Sequence, residues 1–202
     1  MVVDHQIIVE SNCECLTDGR RPSNKKNVKL DVWNLNFTRA MKTGTFTQLH
    51  VQLVFAIKYR ESLLREKYRP EVFSYISGIV KNLNHKPLIV NGFYDHVHIF
   101  LGLNPSISIS DTVSAIKKSS AYFINTKGWF PGKFRWQDGY GGFSYSKSQV
   151  NDVYSYIANQ EKHHGIVKFR QEYKEMLERE EIVFSEEFLP EFFDDGDYSY
   201  LY

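Results

Sequence analysis

Two histidines separated by one valine, His96-Val97-His98, open an apolar run that continues to Leu103, and Tyr156 precedes Gln160 by four positions. In a strand, alternation puts His96 and His98 on one face of the sheet. In a helix, the i,i+4 spacing puts the Tyr156 phenol and the Gln160 carboxamide on one face. Two imidazoles and a carboxamide can bind a divalent ion. All three are neutral, so the ion would keep its full charge for polarising a phosphate. A phenol has a pKa near ~10 and needs such a cation beside it to act as a nucleophile near neutral pH. The chemistry suggested is cleavage of a phosphodiester with the cut end held on tyrosine. A released 3′-hydroxyl could then reverse the step or join a new end without ATP. Both spacings arise readily by chance, so spacing alone favours this reading only modestly.

The surrounding pattern supplies elements to carry these residues. From Phe46, apolar residues recur through Leu49, Val51, Leu53, Phe55 and Ile57, a strand pattern. Pro70 suits an early helical turn, and Val72, Phe73, Ile76, Ile79, Val80 and Leu83 follow with helical spacing. Leu88-Ile89-Val90 turns at Asn91-Gly92 and pairs as a hairpin with the run from His96, with Tyr94-Asp95 in the connection. Ser110-Asp111 caps a second helix carrying Val113, Ile116, Ala121, Phe123 and Ile124. Phe143 to Ser146 forms a short fourth strand. Ser148 caps a last helix, Gln149 to about His163, with Val150, Val153, Tyr154 and Ile157 on its apolar side. The fold class expected is α+β, a ferredoxin-like βαββαβ sandwich with an additional C-terminal helix. Its helices cover one sheet face and leave the other for a substrate or partner.

Hydrophobic residues at 42% and aromatics at 15% of the 202 positions fit a globular chain and exclude wholesale disorder. No apolar run reaches the length of a membrane span, and the N-terminus lacks a signal-peptide pattern. Two cysteines, Cys13 and Cys15, make no disulfide framework, so the expected location is cytoplasmic, without a membrane partner. The net charge of +1 hides an asymmetry. Residues 41–165 carry 15 Lys/Arg against 8 Asp/Glu, a balance of +7, and residues 166–202 carry 4 against 11, a balance of −7. The basic middle segment, rich in aromatics, suits a polyanionic partner such as nucleic acid.

The string Tyr94-Asp95-His96-Val97-His98-Ile99-Phe100 resembles the HUH motif of single-tyrosine transposases, two histidines around a hydrophobic residue. Trp136-Gln137-Asp138-Gly139-Tyr140, then Phe143-Ser144-Tyr145-Ser146, then Tyr156-Ile157-Ala158-Asn159-Gln160-Glu161-Lys162-His163-His164 is similar to that family's catalytic-helix region. The likeness is greatest to the small insertion-sequence and REP-associated tyrosine transposase branch. It spans about residues 44–190. Residues 1–40 lie outside it as an N-terminal extension, expected to be poorly ordered, with Met41 a candidate alternative start. The catalytic domain then spans 41–165, and 166–202 is a helical segment followed by an acidic tail. The resemblance implies a metal-dependent transposase that cleaves and rejoins single-stranded DNA bearing hairpins through a 5′-phosphotyrosine intermediate. It implies Tyr156 as nucleophile, His96 and His98 as metal ligands, and Gln160 as the third ligand. It also implies Mg²⁺ or Mn²⁺, and a homodimer in which the tyrosine helix completes the partner's site. Two alternatives keep the same surface: a non-catalytic DNA-hairpin-binding regulator, or a domesticated HUH nuclease that does not transpose.

Other residues carry competing readings. Tyr140 or Tyr145 could replace Tyr156 as nucleophile. His163-His164 read as helix-end residues meeting the C-terminal dipole. His50 and His85 read as structural, and Asp95 as a turn cap or, alternatively, a carboxylate orienting a histidine. Lys58, Arg60, Lys117, Lys118, Lys133 and Arg135 are candidates for phosphate contacts. Trp129, Phe130, Phe134 and Trp136 are candidates for stacking on unpaired bases, or else core.

Overall fold

A computed structural model describes residues 46–59, 62–164 and 166–193. The 1–40 extension, Met41, both cysteines, Arg60 and the acidic run at 194–197 lie outside the described residues. Four strands form one antiparallel sheet: β1 (His50–Ala56), β2 (Lys86–Gly92), β3 (His96–Gly102) and β4 (Gly141–Tyr145), in the order β2-β3-β1-β4. Helix α1 (Arg69–Asn82) joins β1 to β2, and α2 (Ile109–Lys127) joins β3 to β4. This is the βαββαβ order of a ferredoxin-like α+β sandwich. Three helices follow: α3 (Val150–Ala158), α4 (Gln160–His164) and α5 (Phe169–Arg179).

Local chemistry accounts for the element ends. Pro87 lies in β2, an edge strand, where its missing N–H costs no ladder bond. The Ser108 hydroxyl, two residues before the expected cap, accepts from the Asp111 N–H and starts α2. Gly128, at φ 64°, ends it in the left-handed region that a side chain would disfavour. Ser146 and Gln149, not Ser148, form the reciprocal capping box that leads into α3.

Alternation along β1 and β3 splits the sheet into two buried faces. Val51, Leu53, Phe55, Val97, Ile99 and Leu101 point toward α1 and α2 and pack with Val72, Ile76, Val80, Val113, Ile116 and Ile124. Val54, Ala56 and Phe143 point the other way, against Phe169, Tyr173, Met176 and Leu177 of α5 and against Phe192. Phe100 on that second face packs against Val153 and Ile157 of α3. The second face is therefore covered and not open as expected. Both sets of alternating residues on β1 are apolar enough to need cover, and α5 supplies a stripe at 169, 173, 176 and 177 that fits.

The expected single helix from Gln149 to His163 is two helices that meet at Asn159, whose φ of −97° and ψ of 17° leave the helical region. Asn91 on β2 is the cause. Its Nδ2 donates to the carbonyls of Ile157 at 2.8 Å and Ala158 at 3.3 Å, satisfying acceptors that a continuing helix would have used.

Candidate metal and tyrosine site

Val97 points to the first core, so His96 and His98 both point to the second face, beneath α3, α4 and α5. Both imidazoles are fully buried. Their rings stand at right angles with centroids 5.0 Å apart. His96 also stacks on Phe169 of α5, 4.0 Å away and nearly parallel. Each histidine has an orienting partner on Nδ1. Asp95 Oδ1 lies 2.7 Å from His96 Nδ1, which makes Asp95 an orienting carboxylate as well as a turn residue and leaves the Nε2 lone pair facing inward. Gln52, a polar residue in otherwise apolar β1, lies 2.8 Å from His98 Nδ1 and in turn accepts from the Tyr145 hydroxyl at 2.9 Å. Tyr145 is thereby tied to β1 through its hydroxyl.

Tyr156 on α3 and Gln160 at the start of α4 reach the same point. The Tyr156 hydroxyl donates to Glu172 Oε1 on α5, and Gln160 Nε2 donates to that same oxygen at 2.8 Å. Gln160 Oε1 lies 3.4 Å from His96 Nε2 and 2.8 Å from His164 Nε2. His164 ends α4, as its reading as a helix-end residue expects, but its ring points into the site. It is turned inward because Phe93 stacks on its ring and the Val167 carbonyl holds its Nδ1 at 2.9 Å. Arg69, buried on α1, anchors α4 through Glu161 at 3.4 Å.

Glu172 is the residue that spacing arguments missed. It sits 2% exposed on the inward stripe of α5, between Phe169 and Tyr173, and four imidazoles surround it, His163 Nε2 the farthest at 3.8 Å from Oε1. His98 Nε2 lies 3.4 Å from Oε1, and His96 Nε2 and His164 Nε2 lie 3.6 Å and 3.1 Å from Oε2. A carboxylate within an apolar helix stripe is the sequence signal that could have found it. The ligand atoms of His96, His98, His164 and Glu172 all lie within 4.8 Å of one another, a group that could hold a metal ion. His98 Nε2 and Glu172 Oε2 are buried without a hydrogen-bond partner among the described residues. Such orphaned polar atoms carry a desolvation cost that a cation between them would offset.

The electrostatics follow from burial and this one carboxylate. Burial pushes the His96 pKa down, more than Asp95 restores, so the ring is held neutral. Burial would lower His164 too, but the Glu172 carboxylate 3.1 Å away outweighs it and raises its pKa. For Glu172, burial opposes ionisation, yet His98, His164 and His96 hold the carboxyl well below the usual range. Burial, then the Glu172 charge and hydrogen bond, push the Tyr156 phenol well above its ordinary value. Without a cation the tyrosine stays protonated.

The family model described as transposase IS200 like matches residues 45–160, more than half of the chain and including His96, His98, Tyr156 and Gln160. The chain belongs to the IS200-like transposase family. Its activity is of that class, enzymes that act on DNA. No curated protein matches the sequence. Among solved structures, a protein of Deinococcus radiodurans R1 classed as a transposase is 25% identical, with 58% of this chain and 94% of that one covered and a TM-score of 0.46. A REP-associated tyrosine transposase bound to a REP hairpin is 15% identical, with 61% and 73% covered and a TM-score of 0.46.

The expected DNA contacts of this IS200-like transposase divide. Lys118, Lys133 and Arg135 are exposed, and Lys58 is partly exposed, 4.0 Å from Asp138. Lys117 is committed instead: its ammonium donates to the Gln137 carbonyl at 2.8 Å and to that of Gly139, and burial lowers its pKa to about 8. Trp136 is a core residue, not a base-stacking one. Its ring meets Phe55 and Phe134 edge-on at 4.9 and 5.0 Å, and its indole N–H donates to Ser120 Oγ at 2.9 Å. Phe134 is fully buried beside it, and Trp129 stacks on Tyr68 at 4.3 Å. Among the described residues no helix is long and apolar enough to cross a membrane.

Proposed function

We propose that this transposase cleaves and rejoins single-stranded DNA at hairpin-bearing ends, with Tyr156 as nucleophile and a 5′-phosphotyrosine as the intermediate. The observation that carries the reading is the meeting of Tyr156, Gln160, His96 and His98 at one buried point, although they come from α3, α4 and β3. Tyr156 Oη attacks phosphorus, the bond from phosphorus to the 3′-oxygen breaks, and the DNA leaves a 3′-hydroxyl while its 5′-phosphate stays on tyrosine. One P–O bond forms as one breaks, so a 3′-hydroxyl can run the step backward or join a new end. Glu172 Oε1 fixes the hydroxyl's direction through the hydrogen bond it accepts. Asp95 and Gln52 hold the two imidazoles, and Asn91 sets where α3 stops and Gln160 begins. His96, His98 and Gln160 would hold a divalent ion, Mg²⁺ or Mn²⁺, which when bound would polarise the phosphate and offset charge in the transition state.

His96, His98 and Gln160 have no solvent exposure, so a phosphodiester reaches them only when a covering element shifts. We propose a homodimer as the assembly, with the tyrosine helix able to complete the partner's site. Lys118, Lys133, Arg135 and Lys58 are the phosphate contacts in this reading, and the cytoplasm is its location. The test is cleavage of a single-stranded hairpin oligonucleotide with Mn²⁺. His98→Ala should abolish cleavage, and a chelator should titrate it away in the native enzyme. Undiminished cleavage across the chelator series would defeat the metal role.

A further inference from the structure

We infer that His164 and Glu172 are themselves ligands of the ion, so the site is a three-imidazole, one-carboxylate centre that selects a first-row transition ion over Mg²⁺. The inference rests on the metal reading above and deepens it, because a site of two imidazoles and a carboxamide has no anionic ligand and only two soft donors. Three observations carry it.

The first is the direction of the lone pairs. His96 Nδ1 is taken by Asp95 and His164 Nδ1 by the Val167 carbonyl, so each ring is engaged on its outer side and turns Nε2 inward. Those two nitrogens lie 3.1 Å apart, with Gln160 Oε1 and Glu172 Oε2 beside them. Acceptors converging this closely need a cation among them, a proton on His164 Nε2 when no metal is bound and the metal ion in its place when one is. Gln52 completes the set. Half a turn of its carboxamide keeps both of its contacts, offers His98 Nδ1 an acceptor, and frees the His98 Nε2 lone pair as well.

The second is spacing. Ligands held about 2.1 Å from one ion stand roughly 3–3.5 Å from their neighbours. The separations of Glu172 oxygens from His164, His98 and His96 are 3.1, 3.4 and 3.6 Å. Both Glu172 oxygens are engaged by this ring of nitrogens, while Oε2 has no hydrogen-bond donor among the described residues.

The third is donor chemistry. Mg²⁺ favours oxygen ligands and retains water, whereas imidazole nitrogens suit iron, nickel, copper and zinc, with Mn²⁺ the weakest binder of the first-row series. Three nitrogens against one carboxylate tilt the site toward the first-row ions.

The test is Mn²⁺ binding to the full chain without DNA, read by loss of the free-ion electron paramagnetic resonance signal, with Mg²⁺ as competitor. Circular dichroism checks that each variant is folded. His98→Ala should abolish binding. Glu172→Gln and His164→Ala should each weaken Mn²⁺ on the order of 10–100-fold and shrink the preference over Mg²⁺. Spin-echo modulation on the unmutated protein, which no folding defect can confuse, should count three coupled imidazoles. Two imidazoles, with Glu172→Gln and His164→Ala binding like wild type, would overturn this inference and leave the two-histidine reading standing. Absence of Mn²⁺ binding by the wild type would overturn both.

Discussion

A single methyl group at Gly92 should destabilise the protein and disturb the site together. Gly92 ends β2 and pairs with Val97, one residue beyond His96. A Cβ built there would stand 2.4 Å from the His96 carbonyl oxygen and 2.9 Å from Val97 Cα. Both contacts are to backbone, which cannot rotate away as a side chain would, so the hairpin must open at the residue carrying the first imidazole. Overpacking of this kind costs about 1–3 kcal/mol. For a domain of this size each kcal/mol moves Tm by about 2–4 °C, giving a fall of about 2–12 °C. Gly78, inside α1, is the control because nothing lies within 4 Å of its Cβ position. There the same substitution should stabilise by about 0.5–1 kcal/mol, since alanine loses less conformational freedom in a helix. Thermal melting followed by circular dichroism reads both signs. Gly92→Ala melting at or above the wild type would refute the close-approach argument.

Trp136→Ala should cost about 3–5 kcal/mol in urea unfolding, because the ring fills the core between Phe55 and Phe134. Near-native stability combined with lost DNA binding would instead restore a stacking role. His85 should make stability fall in acid. Its Nδ1 accepts from the Asn104 N–H and its Nε2–H meets Thr112, so the folded state needs a neutral ring, and burial lowers its pKa below the ordinary 6.5. The unfolded chain therefore binds the proton first, and stability declines as pH drops below about 6.5. His85→Gln should flatten that decline in urea midpoints compared at about pH 7.5 and about pH 5.5. An unchanged slope would assign the acid sensitivity elsewhere.

The elements that carry the site were legible where a period is strong. Alternation in β1 and β3 and the 3.6-residue stripes of α1 and α2 specify four strands and their crossing helices, because each has one face to bury. The HUH string lies inside one regular strand, whereas Tyr156 and Gln160 straddle the break between α3 and α4, and both were legible chiefly through the family resemblance. What escaped depended on contacts between distant segments. The break at Asn159 needs Asn91, 68 residues earlier, to take the helix carbonyls. Asn91-Gly92 looks like a turn in sequence, but Asn91 is a strand residue paired with His98. Glu172 and His164 joined the cluster only once α5 was laid over the second sheet face, and periodicity along one segment cannot say which face it will meet. Trp136 and Lys117 carried the composition of a nucleic-acid contact, and the fold spent them on the core and on backbone carbonyls.

The most direct test of the account is whether DNA becomes attached to one particular tyrosine. The full chain is incubated with a single-stranded hairpin oligonucleotide and Mn²⁺, denatured, resolved by electrophoresis, and the shifted band digested for mass spectrometry. The account predicts a covalent protein–DNA species whose nucleotide sits on Tyr156, and its loss in Tyr156→Phe with oligonucleotide binding retained. An adduct that persists in Tyr156→Phe, or one mapped to Tyr140 or Tyr145, would contradict it.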